Sequence, residues 1–459
     1  MHHNARKTLF DPSLYEFDKP QPSYWEATAA KVGLQGKALM ETQSCDVAII
    51  GAGYTGLSAA LHLARDFSVD VRVLEAGHIG WGASGRNGGF CATGGTKLSL
   101  KSQFSKFGVE QTRRYYQSQV DAINLVRSLG NDEDIDFELQ GECEFVVADS
   151  RADFEGLKAE AEVQKTRLGL DVRIHSQEEF AEIGYASPHQ HGAISIRPSF
   201  ALHPLRFAQG LARASEQHGA QLHPHSEVLS WRKESDTHIL TTASGELRAR
   251  QVILTGNGFM PEHLHSGVYG RPLPLQSAIV VTRPMSDDEL GAQGWITENP
   301  VINSAHMFFY YRLLKDRRLM LGGRANHIGD PAAAERTYAD LKQSIGKFWP
   351  EFADIEYTHQ WRGLVCMALS FRPSIGRMPE DKSVYFGYGY HGNGVNTATW
   401  SGREIAKWLA GKESGDRLLP YHLPAIIRGR PPRFPLAFLR RQYLRAGLIT
   451  YQLRDRFGC

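Results

Sequence analysis

The residues Cys45–Leu63, CDVAIIGAGYTGLSAALHL, decide how the rest of the chain is read. Val47 to Ile50 is an apolar run of the kind that fills a strand covered on both faces. Gly51, Gly53 and Gly56 follow in G-x-G-x-x-G spacing, with Tyr54 and Thr55 before the last of them. From Leu57 to Ala64, small and apolar side chains then recur at helical spacing. Strand, glycine turn and helix, in that order, give the motif its meaning. Gly51 permits the tight turn, Gly53 lets a pyrophosphate approach the backbone, and Gly56 lets helix and strand pack closely. The phosphates would sit on free N–H groups at the helix start.

The next strand, Asp70 to Leu74, runs into Glu75 and Ala76. A carboxylate about twenty residues beyond the last glycine is what a dinucleotide fold requires. It accepts hydrogen bonds from ribose hydroxyls and repels a 2′-phosphate, which argues against NADP. The segment Gly80–Gly89, GWGASGRNGG, is too rich in glycine for a helix and too poor in apolar residues for a strand. Gly82, Ala83, Gly88 and Gly89 offer unencumbered N–H groups there. Ser84 adds a hydroxyl, Arg86 a guanidinium and Asn87 an amide, a set suited to an extended, doubly phosphorylated ligand.

With these two motifs the chain resembles the flavin-dependent amine and amino-acid oxidoreductases of the D-amino-acid oxidase and sarcosine oxidase superfamily. The resemblance implies FAD as cofactor, embraced by a segment like Gly82–Gly89. It also implies a backbone contact to the adenine end at Val228 and a second contact strand, VILTGNG, ending at Gly256 and Asn257. Near the C-terminus, VYFGYGYHGNGV (Val384–Val395) leads into a helix-like stretch. In the family this loop sets backbone N–H groups against the flavin, which would involve Gly392, Asn393, Gly394 and Val395. The match reaches from about Cys45 to Gly411.

Length and composition agree. A chain of 459 residues is too long for one core. The expected fold class is α/β (α+β overall), a Rossmann-like FAD-binding domain with a smaller antiparallel-sheet substrate domain. The motifs occur early, midway and late, so the FAD domain is expected to be assembled from residues 44–136, 198–270 and 360–412. Segments 137–197 and 271–359, with the alternating runs FELQGECEFVVAD and HMFFYYRLLKDRRLMLGGR, are assigned to the substrate domain. Residues 1–43 form an arm. The Arg-rich segment 413–459 is expected to dock on the flavin domain rather than meet an acidic partner or a membrane surface.

A net charge of +2, from 52 basic and 50 acidic residues, excludes a nucleic-acid-binding composition. The 5 cysteines have no paired or metal-type spacing, which points to a reducing compartment. No membrane-spanning run and no secretory signal is read, and cytoplasm is the expected location. His189 and His191, and His223 and His225, are read as loop histidines, and no metal is assigned.

The family resemblance implies hydride removal from a C–H next to nitrogen, from a neutral amine in a site depleted of water. Amino-acid-oxidising members hold the substrate carboxylate with an arginine or a lysine. The corresponding positions here are Val365 and Asn396, so an amine without a carboxylate at the reacting carbon is favoured. PSYWEATA, GASGRNGG and YQLRDRFGC resemble the branch that oxidises γ-glutamylputrescine-like, polyamine-derived primary amines. The imine formed would hydrolyse to an aldehyde and ammonia, with oxygen or a quinone as electron acceptor. Met320 replaces a lysine that activates oxygen in one branch.

Tyr310 and Tyr311 alternate on a strand, so one of them is expected to face the pocket. With Trp361 they are read either as an amine-binding aromatic wall or as core aromatics. Arg312 either holds a distal carboxylate or is an exposed strand arginine. His391 either relays a proton or serves a structural hydrogen bond. Cys366 stands near a position that carries a flavin-linked cysteine in sarcosine oxidases, but noncovalent FAD is the expectation. Two other readings stand beside this one. They are a flavoenzyme for a secondary or cyclic amino acid held by Arg312 or Arg372, and a non-catalytic flavin-binding subunit.

Overall fold

The computed structural model describes residues 9–29, 32–305, 307–326, 328–411 and 423–457, those from 451 on by backbone alone. The strand Gln43–Ile50 lies at the centre of the first sheet, parallel to Val71–Leu74 on one side and Glu246–Leu254 on the other. Gln221–His223 and Val384–Tyr388 extend the parallel set outward. Ser374–Arg377 and the hairpin of Ser230–Glu234 with Thr237–Thr241 add antiparallel edges. Parallel strands need crossover connections. Here helices such as Tyr54–Phe67 cover the face of Val47 and Ile49, while Leu240 of the hairpin and the segment from Met260 to Val268 cover the face of Ala48 and Ile50. That is why Val47, Ala48, Ile49 and Ile50 are all buried despite opposite side-chain directions.

The helix Tyr54–Phe67 makes the first crossover and lies against the helix Val395–Ala410. Gly402 permits the approach: a Cβ there would fall 2.3 Å from the Thr55 carbonyl oxygen and 2.7 Å from Ala59 N. Ser58 Oγ donates to Thr399 O at 2.6 Å across the same crossing. At the carboxyl ends of the central strands, Thr255 Oγ1 donates to the Ile50 and Gly51 carbonyls, at 2.9 Å each. Open α/β sheets bind ligands in such a crevice.

The second sheet has 8 strands in the order Tyr357–Ala368, Pro272–Thr282, Leu319–Arg324, Tyr310–Leu313, Val301–Asn303, Glu144–Val147, Ala193–Arg197 and Asp171–His175. Neighbours are antiparallel except at one place, where Val301–Asn303 runs parallel to Glu144–Val147. That pair joins two segments of chain, distant in sequence, into one sheet. The sheet packs against an aromatic core containing Phe145, Tyr185, Trp295, Tyr311 and Trp349.

One expected boundary shifts. Tyr357–Ala368 pairs with Pro272–Thr282 until Ala368 stands opposite Pro272. The boundary at 360 therefore falls inside a strand of the second sheet, and the chain rejoins the first sheet at Ser374. Leu364, Cys366 and Ala368 are buried on alternate positions, as a half-covered strand demands.

The helix Arg440–Phe457 puts Leu444 and Leu448 into a cluster with Leu273, Leu275 and Leu364, joined by Phe10 and Leu14 of the N-terminal arm. Arg440, itself buried, donates to Glu262 at 2.9 Å and to Pro272 O at 2.6 Å. Among the described residues no helix is long and apolar enough to cross a membrane.

Candidate active site

One cavity of about 430 Å³ runs from the crevice of the first sheet to the face of the second. One end begins at Gly51, whose φ of +108° is open to glycine. A Cβ on Gly56 would lie 2.0 Å from the Gly51 carbonyl oxygen, so Gly56 serves the turn from behind the wall. Gly53 caps the helix Tyr54–Phe67 without a side chain, and its own Cβ would press on Ser84 Oγ at 2.9 Å. Ser84 Oγ accepts from Tyr54 N at 3.0 Å, which ties the two glycine segments together.

Glu75 ends its strand at the cavity and accepts from Ala52 N at 2.7 Å and Gly77 N at 3.0 Å. Burial raises its carboxyl above the ordinary range, against the pull of those N–H groups. Thr55, Ala76, Gly82 and Ala83 line the same end, with Val228, Gly256 and Asn257 opposite. Asn257 Oδ1 accepts from Gly389 N at 2.9 Å, joining that turn to the late glycine loop.

Arg86 stacks on Trp81 at 3.8 Å and donates Nε to the Trp81 carbonyl at 2.7 Å. Its two terminal nitrogens are buried without a partner, and burial brings the group down to about 9. Asn87 also lines the cavity, but its amide is used within the loop. Its Nδ2 donates to Ala83 O and Ser84 O at 3.1 Å, and its Oδ1 accepts from Gly89 N at 2.7 Å. The side chain expected to reach a ligand instead shapes the turn. Gly88 is on the wall, close under Tyr310, while Gly89 packs on Leu202 behind it.

The late loop brings His391, Gly392, Asn393, Gly394 and Val395 to the cavity. Gly394 caps the helix Val395–Ala410 without a side chain, leaving that helix start open. Asn393 Nδ2 donates to Ala92 O at 2.9 Å. His391 is buried, with neither ring nitrogen bonded. Burial, then the charge of Lys97, pushes it down to about 3, so the imidazole is neutral.

Of the two tyrosines, Tyr310 faces the cavity and its hydroxyl meets Ser277 Oγ at 2.8 Å. Tyr311 points the other way and meets Tyr185 Oη at 2.6 Å inside the aromatic core, which removes it from the site. Trp361 is on the wall and donates its indole N–H to Arg86 O at 2.8 Å.

Arg312 fits neither expectation. It is fully buried, donates to Leu202 O at 2.7 Å and lies over the Trp25 ring at 5.4 Å, off the cavity wall. Its alternation with Tyr311 put it on the Tyr310 side of the strand, but the N-terminal arm covers it there. Arg372 donates to Ile426 O and also lies off the wall.

Val365 is on the wall, whereas Asn396 is buried in its helix, 3.5 Å from Gln119. Cys366 lines the cavity yet is fully buried, and burial raises its thiol to about 12. The structure adds residues that motif reading missed, chiefly Lys97, Glu144, Phe308 and Arg324.

Two orphaned guanidinium nitrogens, a carboxylate at the strand end and two helix starts without side-chain caps fit FAD. Comparison with known proteins decides the matter. The profile of the family described as FAD dependent oxidoreductase matches residues 46–408. The chain belongs to the FAD-dependent oxidoreductase family.

Among relatives of this family, the γ-glutamylputrescine oxidoreductase of Escherichia coli (strain K12) is 30% identical over 451 residues, 95% of this chain and 98% of that protein. In fold the chain is similar to the glycine oxidase of Geobacillus kaustophilus, with a TM-score of 0.67 and 21% identity, covering 84% of this chain and 100% of that one. It is also similar to the L-α-glycerophosphate oxidase of Mycoplasma pneumoniae, solved with FAD bound, at a TM-score of 0.64 and 17% identity over 80% of this chain and 95% of that one. The α/β fold with FAD as cofactor stands as the sequence led one to expect.

Proposed function

We propose that this FAD-dependent oxidoreductase oxidises the C–N bond of a polyamine-derived primary amine, of the γ-glutamylputrescine type. FAD supplies the acceptor for the hydride. Glu75 would hold the adenosine ribose, the open start of the helix Tyr54–Phe67 the pyrophosphate, and the loop Gly392–Val395 the flavin carbonyl edge. The unpartnered nitrogens of Arg86 would meet an acceptor on the cofactor. The observation that carries the substrate reading is Val365, an apolar side chain on the cavity wall, where the sequence resemblance puts the carboxylate-binding arginine of amino-acid-oxidising members. Tyr310 and Trp361 give the amine an aromatic wall, and the second sheet keeps water from it.

His391, held neutral by burial and by the charge of Lys97, is too weak a base to take a proton from an ammonium, so the amine would enter already neutral, with the imidazole free to hydrogen-bond it. The imine would then hydrolyse to an aldehyde and ammonia, and oxygen or a quinone would take the electrons from the reduced enzyme. A second reading, an amino-acid substrate, now rests on Lys97, since Arg312 and Arg372 lie off the wall.

Anaerobic mixing of the FAD-loaded enzyme with a panel of terminal amines and free amino acids tests both. Terminal amines should bleach the flavin, with kcat/KM about a hundredfold above their α-amino-acid analogues, because an unpaired buried carboxylate costs several kcal/mol. Equal bleaching by both classes supports the second reading. Bleaching by neither would leave a non-catalytic flavin protein.

A further inference from the structure

Where the cavity meets the second sheet, it holds an acidic and a basic side chain that no group among the described residues pairs with. Glu144 opens the strand Glu144–Val147, and Phe145 and Val147 turn into the aromatic core while Glu144 faces the cavity. It is only 6% exposed, and among the described residues its carboxylate makes no hydrogen bond or ion pair. Burial lifts it to about 8, opposed by the charge of Lys97. A carboxyl group so placed is shielded from bulk water without gaining a partner from the described residues.

Lys97 follows the early glycine loop, fixed by a bond from its own N–H to Phe371 O at 2.8 Å. Its ammonium lies 4.9 Å from the Phe308 ring and reaches no acceptor among the described residues. Lys97 is an exposed residue on the cavity wall, so water reaches the ammonium that the described residues leave without an acceptor. Burial and Arg324 bring it down to about 8, against the pull of Glu144. Lys97 and Glu144 thus sense each other but do not come within ion-pair distance.

Their position along the sheet matters. The strand of Glu144 is five places from Tyr357–Ala368, which carries Trp361 and Val365. At about 4.8 Å per strand this is on the order of 20 Å. We infer that Lys97 and Glu144 form a receptor for a zwitterionic α-amino-acid head, carboxylate on Lys97 and ammonium on Glu144, at the end of the amine remote from the carbon being oxidised.

This rests on the terminal-amine reading above and narrows it. A plain diamine would satisfy Glu144 but would bring a cation to Lys97. A neutral acyl amine would leave both groups unpaired. An α-amino-acid head, of the kind a γ-glutamyl amide carries, satisfies the two together.

The test is calorimetric titration of the FAD-loaded enzyme with γ-glutamylbutylamide, which has the head and linker but no terminal amine. N-butyrylputrescine, which has the terminal amine but no head, serves as the second ligand. The head compound should bind the native enzyme, and its Kd should rise about tenfold or more in Glu144→Gln and in Lys97→Met, the scale for losing one partner of a buried charge contact. N-butyrylputrescine should change less than about threefold. Failure of the head compound to bind, or equal changes for both ligands, would overturn the receptor.

Flavin content confirms that each variant is folded, and Lys97→Gln replaces Lys97→Met should that variant lose FAD. Loss of flavin bleaching by every terminal amine, with head binding still dependent on Lys97 and Glu144, would sink the amine reading and leave the receptor standing.

Discussion

Trp361 donates its indole N–H to the carbonyl of Arg86 at 2.8 Å, so one hydrogen bond links the second sheet to the glycine loop of the first domain. The carbonyl lies beside the guanidinium whose terminal nitrogens remain unpartnered in the wall. Trp361→Phe keeps an aromatic surface and removes the donor. It should weaken FAD binding by about 1 kcal/mol, the net worth of such a bond. Titration of apoprotein with FAD, followed by flavin fluorescence, checks this. An unchanged Kd would show that the loop holds its shape without the strand.

Glu75 offers a second measurement on the cofactor. Glu75→Ala removes the proposed ribose acceptor and the two bonds from Ala52 N and Gly77 N. FAD retention should fall by about 1 to 2 kcal/mol, and Glu75→Gln should fall less. Equal affinity in all three proteins would place the ribose elsewhere.

The buried carboxylate of Glu144 should also be visible in stability. Its ordinary value of 4.5 rises to about 8 in the fold, so between these limits the folded state holds the extra proton. Stability should therefore decline as pH rises through that window and level off above it. Lys97 acts outside it: lowered from 10.5 to about 8, it favours the fold progressively as pH rises from about 8. Urea denaturation of the unliganded protein at about pH 5 and pH 8 should show the decline in the native sequence and a flatter profile in Glu144→Gln. A parallel decline in both would assign the slope to other groups.

Cys366 should carry no cofactor. Its thiol is fully buried and held protonated by a value near 12, whereas the thiolate is the reactive form. Acid precipitation should release the yellow colour into the supernatant, from the native protein and from Cys366→Ser alike. Colour retained in the native pellet and lost in the variant would demonstrate a thioether.

The first crossover unit of the first sheet was readable because its signals are local. Val47 to Ile50, the glycines after them and Glu75 lie within one crossover unit, and each residue's place in strand, turn or helix follows from the spacing itself. Strand alternation likewise separated Tyr310 from Tyr311. Reading failed where a residue's surroundings come from distant chain. Arg312 looks like a surface cation until Trp25 of the N-terminal arm is laid over it. Asn87 looks like a ligand contact until its amide is seen to close its own loop. Glu144 alternates correctly in GECEFVVAD, but nothing nearby says that Lys97 faces the same space. The boundary at 360 was misplaced because a strand long enough to cross it pairs with residues roughly ninety positions earlier, a register no local pattern encodes.

The single parallel pairing of Val301–Asn303 with Glu144–Val147 has a bearing on how the chain is made. On the ribosome, Glu144–Val147 emerges long before the strand that will flank it. Gln43–Ile50 waits in the same way for Glu246–Leu254, and that strand for Val384–Tyr388. Both sheets are therefore completed by late-synthesised strands, and neither domain can finish folding while the other is still a nascent tail. A chain stopped short of Tyr357 would not yield one intact sheet and one missing one, but two sheets with bare edges.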